Sequence, residues 1–199
     1  SRKPGERYEY SNLGAGLLGY LLSRLQGRTW EELFRGQVAT PLRLNDTSIN
    51  LTESQKQRLA VGHFHDPKAG LEAVPLWTFD ALAGAGALRS TCRDMLRFIG
   101  ANLGLVQSPV GDILLSLQED RVEAENESMR MALGWHLVKA KSKTIYWKDG
   151  GTYGSNAFLA FAPAKKVGLV VLTNTFGVDA ALATAGFTLI AKLMELPAE

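Results

Sequence analysis

The sequence predicts an α/β (α+β) fold in which an antiparallel sheet is packed by helices. Three observations carry that prediction. Apolar residues recur at helical spacing over most of residues 1–128. The pattern changes to period two after about residue 129 and holds to about 174. A second helical pattern then closes the chain. Residues 1–128 are therefore expected to form a mainly helical region, and residues 129–199 to supply strands and a C-terminal helix. Three meandering strands and a fourth beside them, covered by helices, make a layered arrangement.

Leu13, Leu17, Leu18, Leu21, Leu22 and Leu25 form one broad apolar face of a first helix, which Gly27 stops. Thr29 and Glu32 have capping-box spacing, and Trp30, Leu33, Phe34 and Val38 follow at helical spacing until Pro41. Thr52 and Gln55 offer a second capping box. Residues 62–90 carry Gly, Pro and aromatic residues without a clear period and read as loop. Thr91 and Asp94 open a helix with Met95, Leu96, Phe98, Ile99 and Leu103 inward. Ser108 and Pro109 have the order of an N-cap and a first helical residue, with Val110, Ile113, Leu114 and Leu117 buried behind them.

The strands follow. Leu133, Trp135 and Leu137 alternate with Gly134, His136 and Val138, which puts His136 on the polar face. A turn carrying Lys139, Lys141 and Lys143 leads to a strand at Thr144–Trp147. Asn156–Ala162 is the third strand and Val167–Thr173 the fourth, whose near-continuous apolar run suggests cover on both faces. Asp179 caps a last helix with Leu182, Leu189, Ile190, Leu193 and Met194 inward.

Composition excludes several classes. The 199 residues are 46% hydrophobic and 21% charged, which is ordinary for a globular protein and rules out a mostly disordered chain. The formal net charge of +2 is too small and too evenly spread for a nucleic-acid footprint. No apolar run approaches the ~20 residues of a membrane helix. Cys92 is the only cysteine, so an intramolecular disulfide and a four-thiolate zinc site are both impossible. The chain begins Ser1-Arg2-Lys3-Pro4 without an initiator Met or a signal-peptide pattern, and Ser1 reads as a processed or truncated end.

Two segments concentrate chemistry. Tyr10-Ser11-Asn12 stands just before the first helix, and Lys148-Asp149-Gly150-Gly151-Thr152-Tyr153-Gly154 follows the second strand. Between them lie Ala83-Gly84-Ala85-Gly86-Ala87-Leu88-Arg89-Ser90-Thr91 and the helix-opening pair Asp94-Met95. After them come Phe158-Leu159-Ala160-Phe161 and Val170-Val171-Leu172-Thr173-Asn174. Each motif alone is weak, but the ordered set resembles the serine β-lactamase and penicillin-binding-protein superfamily over almost the whole chain. The branch is that of class C β-lactamases, DD-peptidases and family VIII esterases.

The resemblance implies a β-lactamase/transpeptidase-like fold and hydrolysis of a β-lactam, a peptidoglycan-like peptide or a small ester through an acyl-enzyme. It implies no metal or organic cofactor, and a periplasmic or secreted location. Tyr10 matches the residue that moves protons to and from the nucleophilic serine. A free tyrosine titrates near ~10, so a base in this position needs cations beside it, and Lys148 is the candidate. Asn12 and Lys148 would orient the substrate, and the backbone N–H of Gly151 would serve the oxyanion. Asp149, Gly150 and Thr152 would line the substrate, with the glycines allowing close approach.

The sequence departs from the family pattern twice. Asp149 stands where the family carries Thr or a small residue, and sets a carboxylate beside Lys148. No serine has Lys three positions later, and only nine residues precede Tyr10, so the Ser-x-x-Lys nucleophile is expected outside this chain. The N-terminal strands and the nucleophile helix would then be missing, leaving one incomplete catalytic domain. The strand 167–173 would present an unpaired edge, which predicts self-association or pairing there. A rival reading is a non-catalytic binding or assembly module on the same scaffold. A third recruits a nucleophile from within, such as Ser11 or Ser90.

Other residues carry less. Alone, Tyr10 and Asn12 read as a packed tyrosine and a capping asparagine, and Lys148 and Asp149 as an exposed ion pair. His63 and His65 have no obvious third metal ligand and read as loop histidines. Cys92 reads as structural and Ser90 as a turn or cap residue. Trp77 and Phe79 lie in the long loop as lining of a cleft or as core.

Overall fold

The computed structural model describes residues 3, 5–6, 8–124, 129–140 and 143–195. The Ser1 terminus, the expected boundary at 128 and Lys141 lie outside the described residues.

Ser11 starts α1 (Asn12–Gln26): its hydroxyl accepts from the Gly14 N–H at 2.9 Å, and Gly27 ends the helix in the left-handed region at φ 61°. The leucine face does not pack as expected. Leu13 is 67% exposed and Leu25 81%, and Leu17, Leu18, Leu21 and Leu22 are exposed as well. The buried side of α1 is Gly16 and Gly19, which lie opposite the leucines at 100° per residue. A Cβ on Gly16 would stand 3.0 Å from Leu82, and one on Gly19 3.0 Å from the Gly84 Cα. Only glycine allows this crossing against the 3₁₀ segment Asp80–Ala85.

Thr29 and Glu32 form the expected capping box on α2 (Trp30–Phe34). A π-helical stretch, Arg35–Ala39, leads into α3 (Thr40–Leu42), so the helical run passes Pro41 and ends one residue after it rather than at it. Thr52 and Gln55 box α4 (Glu53–Lys56).

Residues 62–90 are not all loop. His63–Asp66 (β1) and Gly70–Ala73 (β2) pair as a hairpin, and β1 also pairs in parallel with residues 175–176 near the C-terminal end. The partner is more than 100 residues away, and no local period records it. Thr91 caps α5 (Cys92–Asn102), as expected. The helix after Ser108 starts later than expected: α6 is Gly111–Ser116 with Val110 as N-cap, and Ile113 is exposed. Ser108 instead hydrogen-bonds the Pro41 carbonyl and the Val110 N–H.

Six antiparallel strands form the main sheet in chain order. They are β3 (Val122–Glu123), β4 (Met129–Met131), β5 (His136–Ala140), β6 (Lys143–Thr152), β7 (Ser155–Ala162) and β8 (Val167–Thr173). The short β9 (Thr175–Phe176) joins β1 and β2, and α7 (Asp179–Glu195) closes the chain. The sheet starts before residue 129, and Leu133 and Gly134 form a turn rather than part of a strand. β6 runs on through Lys148–Thr152, so the glycines lie inside a strand, not after one.

Alternation divides the sheet into two faces. Ile145, Phe158, Ala160 and Leu169 pack under Ile190 and Met194 of α7. Leu137 and Phe161, on the other face, pack with Ile99 of α5 and Trp135. Both helices come close at a glycine. A Cβ on Gly186 would lie 2.3 Å from Phe158, and one on Gly168 2.4 Å from Ile99. Leu189 of α7 points outward, against expectation. His136 is buried rather than on a polar face, its ring stacked 4.7 Å from Trp147. In β8 only Leu169 is fully buried, and the strand's second edge has no partner strand among the described residues.

Candidate active site

The site forms where the entry to α1 meets the far end of β6. The Tyr10 hydroxyl donates to Asn12 Oδ1 at 2.8 Å, which ties the two side chains across the first turn of α1. Lys148 brings its Nζ to 5.0 Å from the centre of the Tyr10 ring, a cation–π contact. The same Nζ lies 3.6 Å from Asp149 Oδ1, an ion pair between two partly exposed groups. Tyr10 and Asn12 thus stand beside Lys148, which is more than a hundred residues away in sequence.

β5 pairs with β6 only as far as Trp147. Lys148–Thr152 therefore have a partner strand, β7, on one side only among the described residues. Gly150 and Gly151 are exposed there. A Cβ on Gly151 would fall 2.6 Å from Asn156 Nδ2 and 3.0 Å from Asp179 Oδ1, so this position excludes any larger residue. Beneath it the buried Asn156 amide donates to the Asp179 carboxylate. Sequence reading passed over that pair. Its signal was an asparagine at an inward position of an apolar strand. The β6–β7 turn is Tyr153-Gly154, with Gly154 at φ 97° and its Cα against Gly62.

These residues line a cleft of about 1350 Å³. It runs from Tyr10, Asn12 and Lys148 down to Phe34, Val38 and Phe98 of the helical core. Trp77 and Phe79 line it, as does Ser90. Ser11 and Ser90 both have structural partners: Ser11 caps α1, and Ser90 Oγ lies 2.7 Å from Thr47 Oγ1. Thr47 in turn donates to the buried Asp94, which also accepts from the Asp46 N–H. Buried Glu31 accepts from the backbone N–H of Ile49 and Asn50. Two buried carboxylates thus pin the segment 46–50 that walls the cleft. Among the described residues no three His, Cys, Asp or Glu side chains group to hold a metal. His63 instead reaches the Asn174 carbonyl, and Cys92 is exposed.

Residues 1–191 match the Beta-lactamase family. The chain belongs to that family. The unguisins hydrolase of Aspergillus campestris is 28% identical over 88% of this chain and 34% of its own length. The Escherichia coli D-alanyl-D-alanine-carboxypeptidase/endopeptidase AmpH is also 28% identical, over 86% of this chain and 46% of its own. A class C β-lactamase structure superposes with a TM-score of 0.81 at 21% identity, over 97% of this chain and 60% of that one. The chain therefore spans less than two thirds of each of these proteins, and its fold is the β-lactamase and penicillin-binding-protein fold. No helix of the described residues is long and apolar enough to cross a membrane.

Proposed function

We propose that this β-lactamase-family chain is the C-terminal part of a serine hydrolase that works through an acyl-enzyme on a β-lactam, a peptidoglycan-like peptide or a small ester. The observation that carries it is the meeting of Tyr10, Asn12 and Lys148 beside the open edge of β6. In this reading a serine hydroxyl oxygen adds to the substrate carbonyl carbon while Tyr10 Oη takes its proton. The carbonyl oxygen gains charge against the Gly151 N–H. The bond to the leaving nitrogen or oxygen then breaks, and Tyr10 returns the proton to it. Water repeats the sequence on the acyl-enzyme. To act as base Tyr10 must first give up to solvent the proton that it donates to Asn12; Lys148 then supports the phenolate, and Asn12 Oδ1 holds the hydroxyl once the proton is back.

The serine is supplied by a Ser-x-x-Lys segment outside these 199 residues, because no serine here has Lys three positions later. The exposed leucines of α1 and the depth of the cleft support a larger unit. The chain alone is then inactive. Incubation with p-nitrophenyl acetate leaves its intact mass unchanged, whereas a longer chain carrying Ser-x-x-Lys gains one acetyl group. In that longer chain Tyr10→Phe slows acylation by about 10²–10⁴-fold. An adduct on Ser11 or Ser90 of the present chain would overturn the assignment. A non-catalytic binding module is the second reading, favoured by the pairing of Lys148 with Asp149. It predicts no adduct on either chain.

A further inference from the structure

The charges around the cleft are mutually committed. Arg58 is paired with Asp46 at 2.5 Å. The Arg89 guanidinium donates to the carbonyls of Ile49 and Trp77. Lys148 lies between Asp149 and the Tyr10 ring. A second carboxylate, Asp179, stands directly behind Gly151. Near the glycine edge the fixed charges among the described residues are thus one ammonium and two carboxylates. A substrate carboxylate arriving here meets net repulsion and must break an ion pair to be held.

The opposite wall is aromatic. Trp77, 48% exposed, stacks on Tyr153 at 6.3 Å and meets Phe79 edge-on at 6.0 Å. Tyr153 packs in turn on Phe64 and Phe176. The wall reaches the site itself. A Cβ on Gly86 would touch both Phe79 and the Thr152 methyl, at 3.6 and 3.7 Å. The Arg89 bond to the Trp77 carbonyl holds the indole-bearing loop in place. A half-exposed indole backed by four further rings is built to take a flat apolar group.

We propose that the site selects uncharged acyl substrates bearing an aromatic group, with Asp149 excluding carboxylate-bearing ones and Trp77 holding the ring. The inference rests on the reading of this cleft as an acyl-substrate site and narrows its three substrate classes to the ester, because β-lactams and peptide C-termini carry a carboxylate. It assigns Asp149 a specificity role and gives Trp77 and Phe79 a subsite.

Binding tests it without requiring turnover. The 199-residue chain is titrated with three probes at neutral pH, followed by tryptophan fluorescence and by amide shifts of Gly150–Thr152. The probes are N-phenylacetylglycine methyl ester, the free acid N-phenylacetylglycine, and N-acetylglycine methyl ester. The aromatic ester is expected to bind tightest, about fivefold or more over the acid, a ratio set by one partly exposed charge contact. Asp149→Asn and Asp149→Thr, both at a partly exposed position, bring the acid to within about twofold of the ester. Trp77→Ala removes the advantage of the aromatic ester over the acetyl ester. Equal or tighter binding of the acid to the unaltered chain overturns the selectivity and leaves the acyl site standing. Absence of any shift at Gly150–Thr152 with all three probes overturns both.

Discussion

Single side chains around the cleft are held by partners whose strength depends on pH. The clearest is Asp46. A hydrogen bond from the Arg58 guanidinium, with its positive charge, holds the Asp46 carboxyl below the usual carboxylate range. A depressed folded value means the ionised form is the one the fold favours. The stability it adds is therefore full above the ordinary carboxylate range and is lost as pH falls through the depressed value. Wild type and Asp46→Asn should differ most in urea midpoint near neutral pH, and the gap should close as pH falls below the ordinary carboxylate range. A gap that stays constant with pH would show the contact to be steric. Tyr146 runs the other way: burial raises its phenol above the ordinary range, with nearby Asp120 adding to the effect. At this scale the site was legible only in part. Tyr10, Asn12 and Lys148 were singled out from the order of motifs, and the structure places them side by side. Asn156, Asp179 and Arg89 were not, because their partners lie far off in sequence and no spacing links them.

Elements were readable wherever their cause is local. The caps at Thr29, Thr52 and Thr91 and the bounds of β8 follow from neighbours within a few residues. β1 and β2 were missed because β1 is completed by β9 from the far end of the chain. β6 was ended at Trp147 because the apolar pattern stops there, whereas pairing with β7 carries the strand on through Thr152. The α1 leucines misled for a related reason. A broad apolar face says that a helix is to be covered, not by what, and here the glycine face makes the contact. The helix–sheet packing makes a sharp prediction at this scale. Gly186→Ala drives a methyl into the fully buried Phe158 ring. A clash this close belongs at the ~2–3 kcal/mol end of overpacking costs, which exceeds the ~1 kcal/mol gained in helix propensity by ~1–2 kcal/mol. The expected loss in thermal midpoint is roughly 2–6 °C for a chain of this size. Gly111→Ala, which adds its methyl to open space in α6, should leave the midpoint unchanged or slightly higher.

At the scale of the whole molecule, two apolar surfaces lie open among the described residues. One is the leucine face of α1, the other the second edge of β8. An edge of seven residues, five of them Val or Leu, is a template for another strand. We expect sedimentation velocity to show larger species as concentration rises. Hydrogen exchange should show the outward-facing amides of β8 protected at high concentration and released on dilution. Uniformly fast exchange of those amides with a single light species at all concentrations would remove the edge as an interface. Extension of the chain by the segment that carries the nucleophile should abolish the association and raise the thermal midpoint.

The parallel pairing of β1 with β9 bears on how the protein is made. Residues 63–64 find their partners only at residues 175–176. At typical synthesis rates of ~5–20 residues per second, the hairpin waits roughly 5–20 s for that strand to emerge. Through that interval Phe64 has no Phe176 to stack upon, and Tyr153, which backs Trp77, lacks its edge contact with Phe176. The ribosome thus sets the order of assembly: the helical segments can gather early, while the rim of the cleft closes only once residues 175–176 have emerged.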